Sequence, residues 1–239
     1  MKKLLFVFFI GLSMGINAQE SDQKKLMTLL TLMNESVNNS VKLDSISNEI
    51  RILGETTKEP AVKLMAPKAV SAIQDVLISN RTAKPVTVDF NSLDKTFKRK
   101  YRVEEDKFKK AMFLYDRVNL DYRLDPYISI KDNVLRLRLK TRYSGKDWLF
   151  FTKVQFIIDG KDYSYNAESD ERNVHYGGVT ESIDQTADEN QIEILRAIVN
   201  ASDKVNYRID GKYSNDYTVS NYEKEHIKNV LDLYDLLTK

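Results

Sequence analysis

Between Lys84 and Asn91 the spacing of apolar residues changes, and that change does most to limit what this chain can fold into. Upstream, Leu26, Leu29, Leu30, Met33, Val37 and Val41, then Leu43, Ile46, Ile50 and Leu53, recur at the three-to-four-residue interval of a helix that buries one face. From Val86, Val88 and Phe90 onward the interval is two, the signature of strands with one covered face. The pattern predicts an α+β protein: a helical N-terminal segment over residues 19–85, then an antiparallel β domain, sandwich-like and flanked by two helices, over residues 92–239.

In the helical segment the step from Val41 to Leu43 breaks register, and Asn38, Asn39 and Ser40 are poor interior helix formers, which predicts two helices joined by a kink or short loop. Gly54 sits where a left-handed C-terminal cap belongs. Pro67 suits the first turn of a further helix carrying Val70, Ile73, Val76 and Leu77, closed by Asn80 and Pro85. Heptads persist for barely two repeats, so Leu26 to Leu53 is expected to pack within its own chain; a protein partner on that stripe is the alternative.

The clearest strand runs from Val134 to Tyr143. Leu135, Leu137, Leu139, Thr141 and Tyr143 share one face, and Arg136, Arg138, Lys140 and Arg142 share the other. Trp148 to Ile158 is more continuously apolar, as for a central strand covered on both faces. Asp159-Gly160 is a strong hairpin signal returning through Lys161 to Tyr165, and Asn173 to Val179 adds a further strand. Asp188 to Ala201 carries Ile192, Leu195, Ile198 and Val199 at helical spacing. Val205, Tyr207 and Ile209 alternate before a turn at Asp210-Gly211, and Ser220 with Glu223 has capping-box spacing ahead of Ile227, Val230, Leu231, Tyr234 and Leu237.

Charge is segregated along the chain. Lys95 to Lys146 holds 16 basic and 7 acidic side chains, whereas Asp147 to Asp203 holds 4 basic and 12 acidic, among them Glu168, Asp170 and Glu171. One reading is internal: outward positions on an edge strand are polar, and the two stretches neutralise each other. The other takes Arg136, Arg138, Lys140 and Arg142 as a ligand-binding face. Outward side chains lie about 6.7 Å apart on a strand, so four cations cover roughly 20 Å, a length suited to an anionic glycan or lipid headgroups. Nucleic acid is not expected, because the whole chain lacks the basicity of such binders.

Other chemistry is sparse. His175 and His226 are the only histidines, the second placed on the polar side of the last helix, so a histidine metal site or Ser-His pair is not expected. No cysteine occurs, which excludes disulfides, thiolate metal sites and cysteine catalysis. No phosphate loop, zinc-protease motif or EF-hand pattern appears, and no cofactor is expected. Two carboxylates acting as a glycosidase pair stay open as an alternative, though no spacing selects two. Trp148, Phe150 and Phe151 read as core rather than a sugar platform, while Tyr143, Tyr163, Tyr176 and Tyr213 near turns are candidate contacts.

The N-terminus carries Lys2 and Lys3, an apolar run from Leu4 to Ile16, and Ala18 ahead of Gln19. This reads as a cleaved signal peptide over residues 1–18, too short to span a membrane, and predicts export. Without Lys2 and Lys3 the chain carries 35 basic and 35 acidic side chains. The succession LRLRLKTRYSGKDWLFF, VQFIIDGKDY, a helix, VNYRIDGKY and a last helix resembles a domain of exported, uncharacterised bacterial proteins, and the leader is similar to those of Bacteroidota. The resemblance implies an antiparallel β fold with flanking helices and a place in the periplasm or outside the cell, and carries no catalytic residues. The function expected is a non-enzymatic binding or interaction module of the cell envelope, with a carboxylate hydrolase or a protein assembling through its N-terminal helices as alternatives.

Overall fold

A computed structural model describes residues 21–37, 39–118, 122–167, 171–175 and 177–239. The leader, Asn38, Glu168, Asp170 and Tyr176 lie outside these residues. The chain divides into two compact units between Asn80 and Arg81.

The first unit is built from three helices: α1 (Asp22–Glu35), α2 (Ser40–Thr56) and α3 (Pro60–Thr82). The register slip has a local cause. Asn39 caps α2 by accepting the Lys42 N–H at 3.0 Å, which leaves Val41 exposed and turns Leu43 inward. Leu26, Leu30 and Met33 of α1 pack with Leu43, Ile46 and Ile50 of α2 and Val62, Ala66, Ala69, Ile73 and Leu77 of α3. The apolar stripe from Leu26 to Leu53 is thus largely consumed inside its own unit.

Two expectations about this unit are corrected. Gly54 lies within α2 and has no positive φ; a Cβ there would come within 2.6 Å of the Ala66 Cβ, so the glycine permits close approach of α2 and α3. The third helix opens at Pro60, not Pro67, and Pro67 sits inside it. Pro60 meets the first-turn preference equally well, and Pro67 stands in the helix interior, where it has no N–H to donate to the preceding turn.

The second unit holds two antiparallel sheets. After β1 (Lys84–Pro85) and the short α4 (Lys95–Lys98) come β2 (Tyr101–Asp106), β3 (Ala111–Asp116), β4 (Leu124–Lys131) and β5 (Val134–Gly145). Then follow β6 (Phe151–Ile158), β7 (Lys161–Asn166), β8 (Glu171–His175) and β9 (Gly178–Thr186). The unit ends with α5 (Glu189–Asn200), β10 (Asn206–Gly211), β11 (Ser214–Thr218) and α6 (Asn221–Leu237). The larger sheet has the order β2-β3-β4-β5-β9-β8 with β1 also on β5; the smaller is β11-β10-β6-β7. The protein is α+β.

β5 alternates as its sequence predicts, with Leu135, Leu137, Leu139, Thr141 and Tyr143 buried. These join Leu114 and Ile128 of the same sheet, Val154, Phe156, Tyr207 and Ile209 of the other, and Ile194, Ile198, Ile227 and Val230 of the helices in one core. Inside it the Thr141 and Tyr165 hydroxyls meet at 2.8 Å, linking the two sheets. The Asp159-Gly160 turn has φ of 46° and 76°, the type I′ geometry its sequence favours. Asp188 and Gln191 form a reciprocal capping box on α5, and Ser220 caps α6 through the Glu223 N–H.

Three further expectations change. β5 lies between β4 and β9 and is not an edge strand. The strand read from Trp148 begins at Phe151, since Phe150 takes φ 52°; and β6 is covered on one face only, with Ile157 55% exposed on the other. The turn after β10 spans Gly211 to Tyr213, with Asp210 still paired to Ser214, and a Cβ on Gly211 would come within 2.2 Å of the Phe150 carbonyl oxygen.

Candidate site on the outward face of the larger sheet

Strand register decides what surrounds the four cations of β5. Arg136 stands opposite Ser129 of β4, Arg138 lies between Tyr127 and Thr186, Lys140 between Asp125 and Asp184, and Arg142 opposite Ser182. None of the four is fully exposed. Arg138 donates through Nε and Nη2 to Asp184 Oδ1 at 3.2 and 2.9 Å, and through Nη1 to Thr186 Oγ1 at 3.1 Å. Tyr127 donates its hydroxyl to the other Asp184 oxygen at 2.7 Å. Burial disfavours the Arg138 charge, but the Asp184 carboxylate outweighs it and the guanidinium pKa rises. At Arg136 burial and the neighbouring Arg138 charge both pull the pKa down. Arg138 is thus held by its neighbours, and Lys140 and Arg142 line a cleft.

That cleft has a volume of about 230 Å³ and lies where the outward face meets the ends of β3 and β4. Lys140, Arg142 and Arg102 bring positive charge to it, Arg102 being paired with Glu104 at 3.3 Å, and Asp116, Asp125 and Asp184 bring negative charge. Its aromatic wall is made by Tyr115 and Tyr127, stacked at 4.9 Å and 25°, with the Arg102 guanidinium 4.8 Å above Tyr115. At its deep end sits His226 of α6, 3% exposed. The Nδ1 atom lies 3.3 Å from Asp116 Oδ2 and Nε2 lies 3.0 Å from Asp125 Oδ1, while the Tyr122 ring stacks on the imidazole at 4.4 Å. Asn229 donates to the same Asp116 oxygen.

Electrostatics at this end are coupled. Burial pulls the His226 pKa down, but its hydrogen bonds to Asp116 and Asp125 and their charges reverse that and hold it above the ordinary histidine value. Burial raises Asp116, and the His226 and Asn229 hydrogen bonds outweigh it, leaving the carboxyl below its ordinary value. A doubly protonated imidazole donating to both acids satisfies both directions. With both ring nitrogens engaged, His226 offers no free lone pair to a metal or a reacting proton. Among the described residues no three histidine or carboxylate side chains are grouped to hold a metal ion.

Lys140 and Arg142 were legible as outward cations; Arg102, Tyr115, Asp116, Tyr122, Asp125 and His226 were not. The placement of His226 on the polar side of its helix is wrong: 226, 230, 233 and 237 follow helical spacing onto a second buried stripe with Val230, Leu233 and Leu237. Of the tyrosines near turns, Tyr143 is buried with its hydroxyl on the Asp147 carbonyl, and Tyr213 is exposed. Leu149 and Phe151 are core as read from the sequence, whereas Phe150 is 39% exposed.

A larger, shallower concavity of about 820 Å³ covers the outward face of the smaller sheet. Its Arg208 is paired in bidentate fashion with Asp216. The built site is the smaller cleft. Set against known proteins, the chain matches no family model, no curated protein and no solved structure.

Proposed function

We propose that the protein is an exported, non-enzymatic binding module whose outward-face cleft takes an anionic group of an envelope glycan or similar polymer. The observation that carries this reading is the convergence of Lys140, Arg142 and Arg102 on one cleft with a stacked tyrosine wall. Cations supply charge-assisted hydrogen bonds to a carboxylate or sulfate, and tyrosine faces suit the apolar side of a sugar ring. The ligand meets the Lys140 end of β5, and does not lie along the whole strand, because Arg138 is already bound to Asp184, Thr186 and Tyr127.

A binding role is favoured over carboxylate hydrolysis by the state of the acids. A general acid needs a carboxyl held protonated near neutral pH. In the cleft Asp184 is bound by Arg138 and Tyr127, and Asp116 and Asp125 by His226. Glu223 is held above its ordinary value by burial, and it accepts the Leu124 N–H and is not among the cleft's lining residues. Export is supported by the leader pattern at residues 1–18 and by the resemblance to exported bacterial proteins.

The test is binding of acidic and neutral glycans at low and high salt. Lys140→Gln with Arg142→Gln is expected to weaken acidic-glycan binding about tenfold or more, and Arg136→Gln to leave it within about twofold. Equal losses from both variants would put the ligand along the strand, and silence from every glycan would remove the cleft reading.

A further inference from the structure

Phe108 is fully exposed, the most exposed of the large apolar side chains. It stands at the tip of the β2–β3 hairpin in the loop Lys107-Phe108-Lys109-Lys110, and all three lysines are exposed. The tip is a shaped loop. Asp106 turns its carboxylate onto the loop's own amides, accepting from the Phe108 N–H at 3.0 Å and the Lys109 N–H at 2.8 Å, and Lys110 takes φ 49°. Asp106 also pairs with the Lys109 ammonium at 3.5 Å, and the exposed aromatic ring shares its loop with three exposed lysines.

Cross-strand register extends the positive charge at this end of the sheet. Lys131 stands opposite Ala111 and the exposed Lys84 opposite Leu135, with Asp132 in the adjoining turn and the exposed Glu105 opposite Met112 as the acids nearby. Neither concavity described above includes the tip. A lone aromatic on a convex cationic tip complements a soft, delocalised anionic surface: the ring enters the headgroup boundary while the lysines stay among the anionic headgroups.

We propose that the β2–β3 tip docks the protein on an anionic lipid bilayer, with Phe108 inserted at the interface and Lys107, Lys109 and Lys110 contacting headgroup phosphates and carboxylates. One aromatic and three lysines make a reversible contact, weaker than a lipid anchor with two membrane signals. The contact is separate from the cleft, which lies at the other end of β3, and holds whether or not the cleft binds a glycan.

The experiment is co-sedimentation of the chain from Gln19 onward, so that the apolar run at 4–16 contributes nothing, with vesicles of phosphatidylcholine alone or with 30 mol% phosphatidylglycerol. Binding is expected to the anionic vesicles, to weaken with added salt, and to be at least tenfold weaker on the neutral ones. Phe108→Ala should weaken it about tenfold, and joint replacement of the three lysines by glutamine on the order of a hundredfold. These exposed positions leave the fold intact, so a loss is a loss of docking. Phe108→Trp adds a reporter to the single Trp148, which packs against the core, and its emission should shift to the blue on anionic vesicles. Binding to neither vesicle, equal binding to both, or variants indistinguishable from the parent would overturn the proposal and leave an acidic protein surface as the tip's partner.

Discussion

His226 couples the end of α6 to β3 and β4 through one buried ring, and the coupling depends on pH. Its raised pKa means that the stability from its charged form is complete below the unfolded value of about 6.5 and is lost as pH rises through the folded value. Asp116, held below its ordinary value, has the opposite sign: its contribution is present above about pH 3.9 and lost as pH falls through the folded value. Glu223, raised by burial, also favours the folded state at low pH, losing that contribution as pH passes upward from the ordinary glutamate range. His226→Ala is expected to cost about 3 kcal/mol near pH 6, because Asp116 is left buried without its cation, and less once pH has risen through the folded value. Urea melts of parent and variant across pH 5–9 measure this, since Glu223 is common to both. A difference independent of pH would show a neutral imidazole.

Among the elements, the irregular stretch ahead of β6 is instructive. Glu181 of β9 is fully buried, and its carboxylate accepts the N–H groups of Leu149, Phe150 and Phe151, doing for that stretch what a neighbouring strand would have done. Glu181→Ala leaves those donors without acceptors and is expected to cost about 3 kcal/mol or more; Glu181→Gln, retaining one oxygen, should recover part of it. Denaturant midpoints decide, and an unchanged midpoint would mean that water replaces the acid. Nothing in WLFF foretells this, because a continuous apolar run has no period and the acid that shapes it is thirty residues away. Elements that bury one face against water, such as β5, α5 and the Asp159-Gly160 hairpin, could be read directly. β4 was missed despite the alternation of Leu124, Ile128 and Ile130, since Pro126 argues against a strand. The proline is tolerated because it pairs with Leu139 on β5 and lies beyond the residues that β3 pairs. β2 carries two apolar residues in six, too few for any pattern. The cleft was half legible for the same reason: β5 announces its cations, but only register shows which acids and rings stand beside them.

At the scale of the whole molecule, the described residues form two cores with no member in common, one from Leu26 to Leu77 and one from Phe90 to Leu237. A chain beginning at Arg81 is therefore expected to fold alone and to melt cooperatively with its cleft intact, which circular dichroism and the glycan titration would both report. A molten product would show that the second core depends on the first unit. β3 fixes one further relation within the second unit. Its six residues run from the lysine-bearing tip to Asp116 in the cleft, about 17 Å along the strand, roughly twice the screening length of physiological salt. Whatever charge the tip touches is thus electrically out of earshot of Lys140, and the two ends of the strand can choose their ligands without consulting each other.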